Sequence, residues 1–568
     1  MKQTFLFLLL VALVVIPAFA EDGGGTASVL VTSFENDESP TKAAEYRDTD
    51  AGFGFSLDMY GQFGEQGLFL ISGHHTSPDE QQYNIRFWTG RHGKIDVSYN
   101  EFVHNLIHDP LVNMDAAFAP KANFHTDMNP MSQYGYSVRD LKARMDYAVH
   151  GYENLKFFAS YSKLEREGMK QVRAMSHCAG CHVNAMDREV NEATEDIEAG
   201  ASWTIGRLRL MASHLTRSYW ENGATPTVLY DLAEHPVQHT PAFNDRISFD
   251  ISDGPQMVER VPDVEKSQNQ VRLDYGWDSG TFTTAYTMAE VTNQTADLSF
   301  DYNAWLASGA QRLGEKTWLK LRVRTYEIDN DDYFVDIVEP VAVAGPYAGQ
   351  TYQEHYGYNP DFLRTSGMNR SVTDGIAEIR YQYARMGSFR FGYRYLSEDR
   401  DTYEVQEGET ETITGRLYMD WRHVIPKSWK LMASLAYSDI SHPFANVNGG
   451  CTPDMDTEPV SSPMAPGSIQ YWEWQDARQA DLSNQPSERM QFRATASRPL
   501  GQKTFLMLST SYTDDKNDEL DMSTWDRDIT LASAYINWIP SQKWSWFTGY
   551  TYMKETTDTH ICIPVFDG

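Results

Sequence analysis

The sequence is short of positive charge, of cysteine and of long apolar runs. The formal net charge of −31 argues against nucleic acid as a partner, because phosphate groups would be repelled. After residue 20 no stretch approaches the ~20 consecutive apolar residues that a membrane-spanning helix requires. A Ser-His-Asp set, a glycine-rich phosphate-binding loop and a metalloprotease helix are not recognisable either. With only four cysteines in 568 residues, each cysteine motif can be weighed individually.

The first 20 residues have the pattern of a secretory signal peptide. Lys2 supplies the positive charge, residues 5–16 form the apolar core, and Ala18-Phe19-Ala20 is a small-residue cleavage site. The apolar stretch is too short to span a membrane as a helix. We therefore expect an exported protein whose mature part, residues 21–568, forms one β-barrel.

Apolar and polar residues alternate along most of the mature chain. Between residues 388 and 395, four aromatic residues occupy every second position and are separated by Arg390, Gly392 and Arg394. This period of two recurs in segments of about ten residues, which is the pattern of a transmembrane β-barrel. An aromatic content of 13% and a mean hydropathy of −0.52 agree with strands that are apolar on one face only. A soluble β-sandwich would alternate too, but its turns usually recur about every 8–12 residues.

Two classes of turn separate the alternating segments. Short turns include Asp278-Ser279-Gly280 and Pro426-Lys427. Long polar connections cover roughly 106–136, 164–195, 218–265, 328–372, 440–486 and 514–526. In outer-membrane barrels the short turns face the periplasm and the long loops face outside. Tryptophans such as Trp277 and Trp429 lie beside the short turns, as an interfacial aromatic belt requires.

These features predict an all-β fold: a large antiparallel transmembrane β-barrel of ~22 or more strands with long extracellular loops. It would be embedded in the lipid of a Gram-negative outer membrane. Counting the segments gives about 21 strands, and an odd number would leave a costly unpaired edge in lipid. We therefore expect the native chain to continue past Gly568 by at least one strand, unless one segment is miscounted.

The polar positions of the strands are rich in cations, although the whole chain is acidic. The basic residues that should point into the lumen include Lys320, Arg322, Arg324, Arg380, Arg390 and Arg394. Fewer acids can be placed there, because acidic runs such as residues 514–519 fall in loops. A cationic lumen suits anionic solutes or a protein that carries haem propionates, and an ordinary polar porin lining explains it equally well.

Cys178-Ala179-Gly180-Cys181-His182 is the motif with the most chemical content. Cys-x-x-Cys-His is the attachment pattern for a c-type haem. The two thiols, Cys178 and Cys181, would bond the vinyl groups, and His182 would be the proximal iron ligand. The alternative is a plain Cys-x-x-Cys disulfide beside a chance histidine. We expect one covalent haem c in the loop 164–195, either outside the barrel or folded into its lumen.

The second axial position and the two remaining cysteines are less defined. Met186 is a candidate distal ligand, and a five-coordinate haem is an alternative. The further candidates are His104, His108, His125, Met175 and His177. Cys451 and Cys562 both fall in outward loops of an oxidising compartment, so a disulfide would form if the fold brings them together.

Five segments of the N-terminal third carry a family resemblance. They are Glu45-Tyr46-Arg47-Asp48, Gly52-Phe53, Asp79-Glu80-Gln81-Gln82-Tyr83, Gly90-Arg91-His92-Gly93-Lys94-Ile95 and Tyr99-Asn100-Glu101-Phe102-Val103-His104-Asn105. In this order they resemble the MtrB/PioB family of outer-membrane barrels, and residues 178–200 look like the version in members with Cys-x-x-Cys-His. The resemblance implies a barrel that sheaths a periplasmic multihaem c-type cytochrome. Two features depart from it: the best-known members bind no haem themselves, and an N-terminal Cys-x-x-Cys is missing here.

The sequence leaves three functions open. The first is an electron conduit for extracellular electron transfer, with the multihaem cytochrome in the lumen and an extracellular surface cytochrome as a further partner. The second is a diffusive, anion-preferring porin with a structural Cys-x-x-Cys loop. The third is a haem enzyme displayed on a barrel, but it lacks a convincing acid–base pair beside the motif. We therefore expect no enzyme.

Overall fold

A computed structural model describes most of the mature chain. The described residues are 22–32, 45–46, 52–77, 79–111, 125–175, 183–229, 254–335, 348–351, 354, 362–364, 369–400, 409–443, 486–517, 525–541 and 544–559. The expected signal peptide 1–20, the Cys-x-x-Cys-His motif 178–182, Cys451 and Cys562 lie outside them. Among the described residues, no helix is long and apolar enough to cross a membrane.

The described residues form 26 β-strands. In chain order they are β1 (Asp22–Thr32), β2 (Gly52–Phe63), β3 (Gly67–Ser77), β4 (Glu80–Thr89), β5 (Gly93–Asn105), β6 (His125–Asp127), β7 (Gly135–Val149), β8 (Tyr152–Met175), β9 (Val183–Ile205), β10 (Leu208–Glu221), β11 (Thr227–Val228), β12 (Gln256–Met257), β13 (Val264–Trp277), β14 (Gly280–Asn293), β15 (Leu298–Arg312), β16 (Thr317–Asn330), β17 (Tyr333–Val335), β18 (Phe362–Arg364), β19 (Arg370–Ala384), β20 (Gly387–Asp399), β21 (Glu411–Val424), β22 (Lys430–Ser441), β23 (Glu488–Pro499), β24 (Thr504–Asn517), β25 (Trp525–Ser541) and β26 (Trp544–Thr559).

Twenty-two of these strands belong to one sheet, and the other four form two small ribbons, β11–β12 and β17–β18. Long strands pair antiparallel with their neighbours along the chain, as in β7–β8 and β25–β26. The three-residue strand β6 differs, because it pairs parallel with β9. The predicted all-β fold with a large antiparallel sheet of about 22 strands is confirmed.

The chain divides into two compact units. The first comprises Met1–Val271, Ala289–Ser299 and Ile337–Asn359. Within it, Ile71 lies opposite Ile85, and Tyr83 lies opposite Tyr99, so these buried side chains share one face of β3–β5. Cross-strand apolar pairs of this kind stabilise neighbouring strands beyond their backbone hydrogen bonds.

The second unit comprises Arg272–Met288, Phe300–Asp336 and Pro360–Gly568, and its sheet has an apolar and a polar face. Directly opposed residues share a face, so the register defines rows across the strands. One apolar row crosses six strands through Leu319, Ile379, Phe391, Met419, Leu435 and Phe492. This face is open: Phe391 is 48% exposed, and Leu417 on the same face is 61% exposed.

The expected loop over residues 164–195 is wrong, because most of this stretch is β-structure. Strands β8 and β9 pair without interruption from Leu155 opposite Trp203 to Met175 opposite Val183. The charged residues that suggested a loop are accommodated by ion pairs; Arg166, for example, binds Glu192 across the two strands at 2.8 Å. Only residues 176–182 separate the two strands.

Candidate functional site

The hairpin β8–β9 extends past both of its neighbours in the sheet. Pairing of β7 with β8 ends at Met169, and pairing of β10 with β9 ends at Glu192. Beyond these positions β8 and β9 continue to pair with each other up to Met175 and Val183, and the short strand β6 pairs with β9 from Val183 to Ala185. The seven residues 176–182, which include Cys178, Cys181 and His182, connect these opposed ends and lie outside the described residues.

Asp187 joins the extended hairpin to the segment that precedes β7. Its carboxylate accepts hydrogen bonds from the Ser132 and Tyr134 hydroxyls, both at 2.8 Å. Its backbone N–H donates to the Asn129 side-chain oxygen at 3.0 Å. Burial and the hydrogen bond to Asp187 raise the pKa of Tyr134 above its usual value.

A second set of contacts joins β8 to Asp109, which follows β5 in the chain. Arg173 binds the Asp109 carboxylate at 2.7 Å, and the Gln171 side chain donates to the Asp109 carbonyl at 2.8 Å. Leu111 packs in one buried cluster with Val183 and Ala185, the first residues after the motif. The strand β6 adds backbone pairing to β9 from Val183 to Ala185. Backbone hydrogen bonds, an ion pair and apolar packing therefore hold the ends of β8 and β9 that flank the motif.

The Arg188 side chain is almost fully buried and contacts two carboxylates. Its guanidinium lies 3.4 Å from Glu221 and 3.5 Å from Glu259. Lys170 of β8 also binds Glu259, at 2.7 Å. A buried guanidinium needs such partners, because an uncompensated charge in a poorly hydrated site is costly. These contacts tie β8 and β9 to the ends of neighbouring segments.

The structure separates the candidate distal ligands. Both ring nitrogens of His104 are engaged, one with the Tyr136 hydroxyl at 3.0 Å and the other with Glu45 at 3.2 Å. His108 uses Nε2 in a 2.6 Å contact with Asp127. Met186 is half-buried opposite Val172, and within the described residues its sulfur has no polar partner. The side chains of Met175, His125 and His177 lie outside the described set.

All six predicted wall cations lie on the polar face of the second unit. In the paired strands, Lys320 lies opposite Glu378, and Arg380 lies opposite Arg390. Arg322 and Arg394 flank Ile376 on the two neighbouring strands, so they belong to the same row. Arg324 also lies on this face, where it donates to the Tyr302 hydroxyl at 2.9 Å. The polar face is the reverse of the face that contains Phe391 and Leu417.

This wall is not uniformly basic, because acids pair with half of its cations. Asp374, which the sequence analysis did not place there, contacts Arg322 and Arg394, each at 2.7 Å. Arg390 contacts Asp420 at 2.6 Å and Glu378 at 3.5 Å.

Three of the six wall cations have no ion-pair partner among the described residues. Arg324 donates to the neutral Tyr302 hydroxyl. Lys320 and Arg380 are exposed and have no ion-pair or hydrogen-bond partner among the described residues. The face therefore combines fixed ion pairs with free positive charge.

Three solved structures show what the fold is similar to. BauA, the ferric preacinetobactin receptor of Acinetobacter baumannii, has 10% identity and a TM-score of 0.40, with 95% of this chain and 80% of the receptor covered. The FrpB iron transporter of Neisseria meningitidis has 9% identity and a TM-score of 0.45, with 92% and 81% covered. OmpT, an outer membrane protein of Vibrio cholerae, in a form that lacks loop L8, has 10% identity and a TM-score of 0.28, with 69% and 95% covered. No protein-family model and no curated protein matches the chain. The activities of these proteins are not carried over to this one.

Proposed function

We propose that the chain is the outer-membrane β-barrel of a trans-outer-membrane electron conduit. It would sheath a periplasmic multihaem c-type cytochrome and carry one covalent haem c of its own. The observation that carries the proposal is the combination of an open apolar face, a cationic polar face and a braced hairpin that presents Cys-x-x-Cys-His. The resemblance to the MtrB/PioB family supports the same function.

The open apolar face supports a location in a membrane. Leu417 and Phe391 belong to an apolar surface that continues across several strands. A soluble protein rarely exposes such a surface, because leaving it in water costs about 25 cal/mol per Å². Lipid chains would cover it, and strands that are apolar on one face and polar on the other are typical of outer-membrane barrels.

The donor set at the end of the hairpin fits a c-type haem. Cys178 and Cys181 would form the two thioether bonds, and His182 would be the proximal ligand. Met186 is the distal ligand we propose: its sulfur has no polar partner among the described residues, whereas both ring nitrogens of His104 are engaged. The haem would supply a one-electron redox centre, and the contacts of Asp187 and Asp109 would limit movement of its attachment point.

The free cations of the wall support a partner with surface carboxylates. Lys320 and Arg380 are exposed and have no ion-pair or hydrogen-bond partner among the described residues. Haem propionates are such carboxylates, and complementary charge across an interface favours the matching partner. The partner would therefore be held by ionic contacts to this wall.

Haem staining and co-purification test the proposal together. In a host with cytochrome c maturation, the protein should stain for covalent haem after denaturing electrophoresis, and Cys178→Ala should abolish the stain. Cys451→Ala is the matched control and should stain like the wild type. The native complex should contain a multihaem cytochrome. An unstained wild-type protein would overturn the haem assignment, and a complex without cytochrome would overturn the conduit.

A diffusive, anion-preferring porin is the second candidate. The observation in its favour is that Asp374 and Asp420 neutralise part of the wall, as in an ordinary polar lining. Planar-bilayer recording separates the two functions. A conduit plugged by its cytochrome should pass little current, whereas steady anion conductance without a co-purified cytochrome would establish the porin.

A further inference from the structure

A distinct pocket lies on the polar face of the second unit, between β20 and β24. Its volume is about 360 Å³, and four guanidinium groups line it, with Asp420 as the one carboxylate in its lining. The cations are Arg390, Arg394, Arg416 and Arg493. Serine and threonine hydroxyls complete the polar lining. A concave site with this excess of donors is suited to an anion.

Two of the four arginines already have carboxylate partners. Arg390 binds Asp420 inside the pocket, and Arg394 binds Asp374. Arg394 nevertheless lies directly opposite Arg416, and like charges in directly opposed positions destabilise a sheet. The charges of Arg416 and Arg493 are therefore the ones that remain to be balanced.

Arg416 and Arg493 converge although they belong to different strands. Arg416 reaches across β22 and donates to the Gln491 side chain at 3.0 Å. Gln491 is two residues from Arg493 on the same face of β23. The Gln491 amide is neutral, so it leaves the charge of Arg416 uncompensated.

Both arginines also have N–H groups that bind no described residue. The Arg416 Nε is buried and has no hydrogen-bond partner among the described residues. Arg493 is exposed and likewise has no partner within the described residues. The exposed Arg493 guanidinium can therefore donate to an anion in the pocket.

We propose that this pocket binds a ligand with two paired anionic groups, of the dicarboxylate class. Each carboxylate can accept two parallel hydrogen bonds from one guanidinium, which is the strongest pairing available to arginine. Two sources share this chemistry: the two propionates of a cytochrome haem, or a free dicarboxylate solute. The proposed ligand class rests on the geometry of the pocket alone, and only the propionate source rests on the proposed function.

Calorimetry on the full purified chain in detergent tests the site, with succinate as the probe. Arg416→Gln and Arg493→Gln should each weaken succinate binding by about tenfold or more, because a charge-assisted hydrogen bond contributes roughly 1.5–3 kcal/mol. Arg422→Gln is the matched control: Arg422 lies on the polar face of β21, has no partner among the described residues and is outside the pocket lining. It should change binding less than about twofold. An absent succinate signal in protein that holds no cytochrome, or equal losses in all three variants, would overturn the site. Heat-modified gel migration verifies that each variant is folded.

A second experiment, which measures the cytochrome retained in the native complex, identifies the source of the carboxylates. If propionates occupy the pocket, Arg416→Gln and Arg493→Gln should lower the amount of cytochrome retained in the native complex, and Arg422→Gln should not. Unchanged retention together with weaker succinate binding would assign the pocket to a solute and overturn the propionate source. If the wild-type complex holds no cytochrome but binds succinate, the conduit fails and the site stands.

Discussion

The Tyr134 hydroxyl donates a 2.8 Å hydrogen bond to the Asp187 carboxylate, five residues after the haem-motif histidine. This bond links a connecting segment to the strand that supports the motif, so the hairpin is not free to move as a simple ribbon. The support comes from the chain's own residues.

Removing the hydroxyl should loosen the end of the hairpin. Tyr134→Phe leaves the Asp187 carboxylate with one hydroxyl donor fewer, which we expect to cost about 1–3 kcal/mol of local stability. Hydrogen exchange of residues 183–190 should then become faster. The control is Tyr152→Phe at the other end of β8, where the side chain is 74% exposed. Equal exchange in both variants would contradict the bracing role.

Met186→Leu tests the distal ligand. The substitution keeps the apolar volume but removes the sulfur, so a six-coordinate haem should become five-coordinate and its Soret and visible bands should shift towards the high-spin form. Met169→Leu, also half-buried and in the same hairpin, is the control and should leave the spectrum unchanged. A wild-type spectrum for Met186→Leu would exclude Met186 and direct attention to His125 or His177.

Asp374→Asn should destabilise the wall. The carboxylate of Asp374 is nearly buried and contacts two arginines, so the amide would leave Arg322 and Arg394 facing each other without a counter-charge. Both guanidinium groups are partly exposed, which reduces the expected loss to about 1–2 kcal/mol. Urea unfolding in detergent micelles measures it. Asp301→Asn, an exposed and unpartnered acid among the described residues of the same unit, should change stability by less than about 0.5 kcal/mol.

Local sequence patterns predicted the strands much better than the contacts between them. The alternation around Phe391 follows from the period of two, and the structure places that residue on the open apolar face. The strand character of residues 164–175 was hidden by charges, which bind across the hairpin, as Arg166 does with Glu192. The partners of Asp374 lie 52 and 20 residues away in the chain, so no local pattern reveals them.

The last prediction tests which face of the sheet meets lipid. Leu417 lies in the middle of β21 on the open apolar face, so Leu417→Arg would place a charge in the hydrocarbon region. Arginine on the lipid face near the midplane of a barrel costs about 2–4 kcal/mol, because its hydration is lost. Thr495→Arg is the control, since it adds the same charge in the middle of β23 on the polar face, next to water. Unfolding in lipid vesicles should therefore show a large loss for Leu417→Arg and a small one for Thr495→Arg. The reverse order would mean that the faces are assigned the wrong way round, and equal small losses would argue against a membrane-spanning sheet.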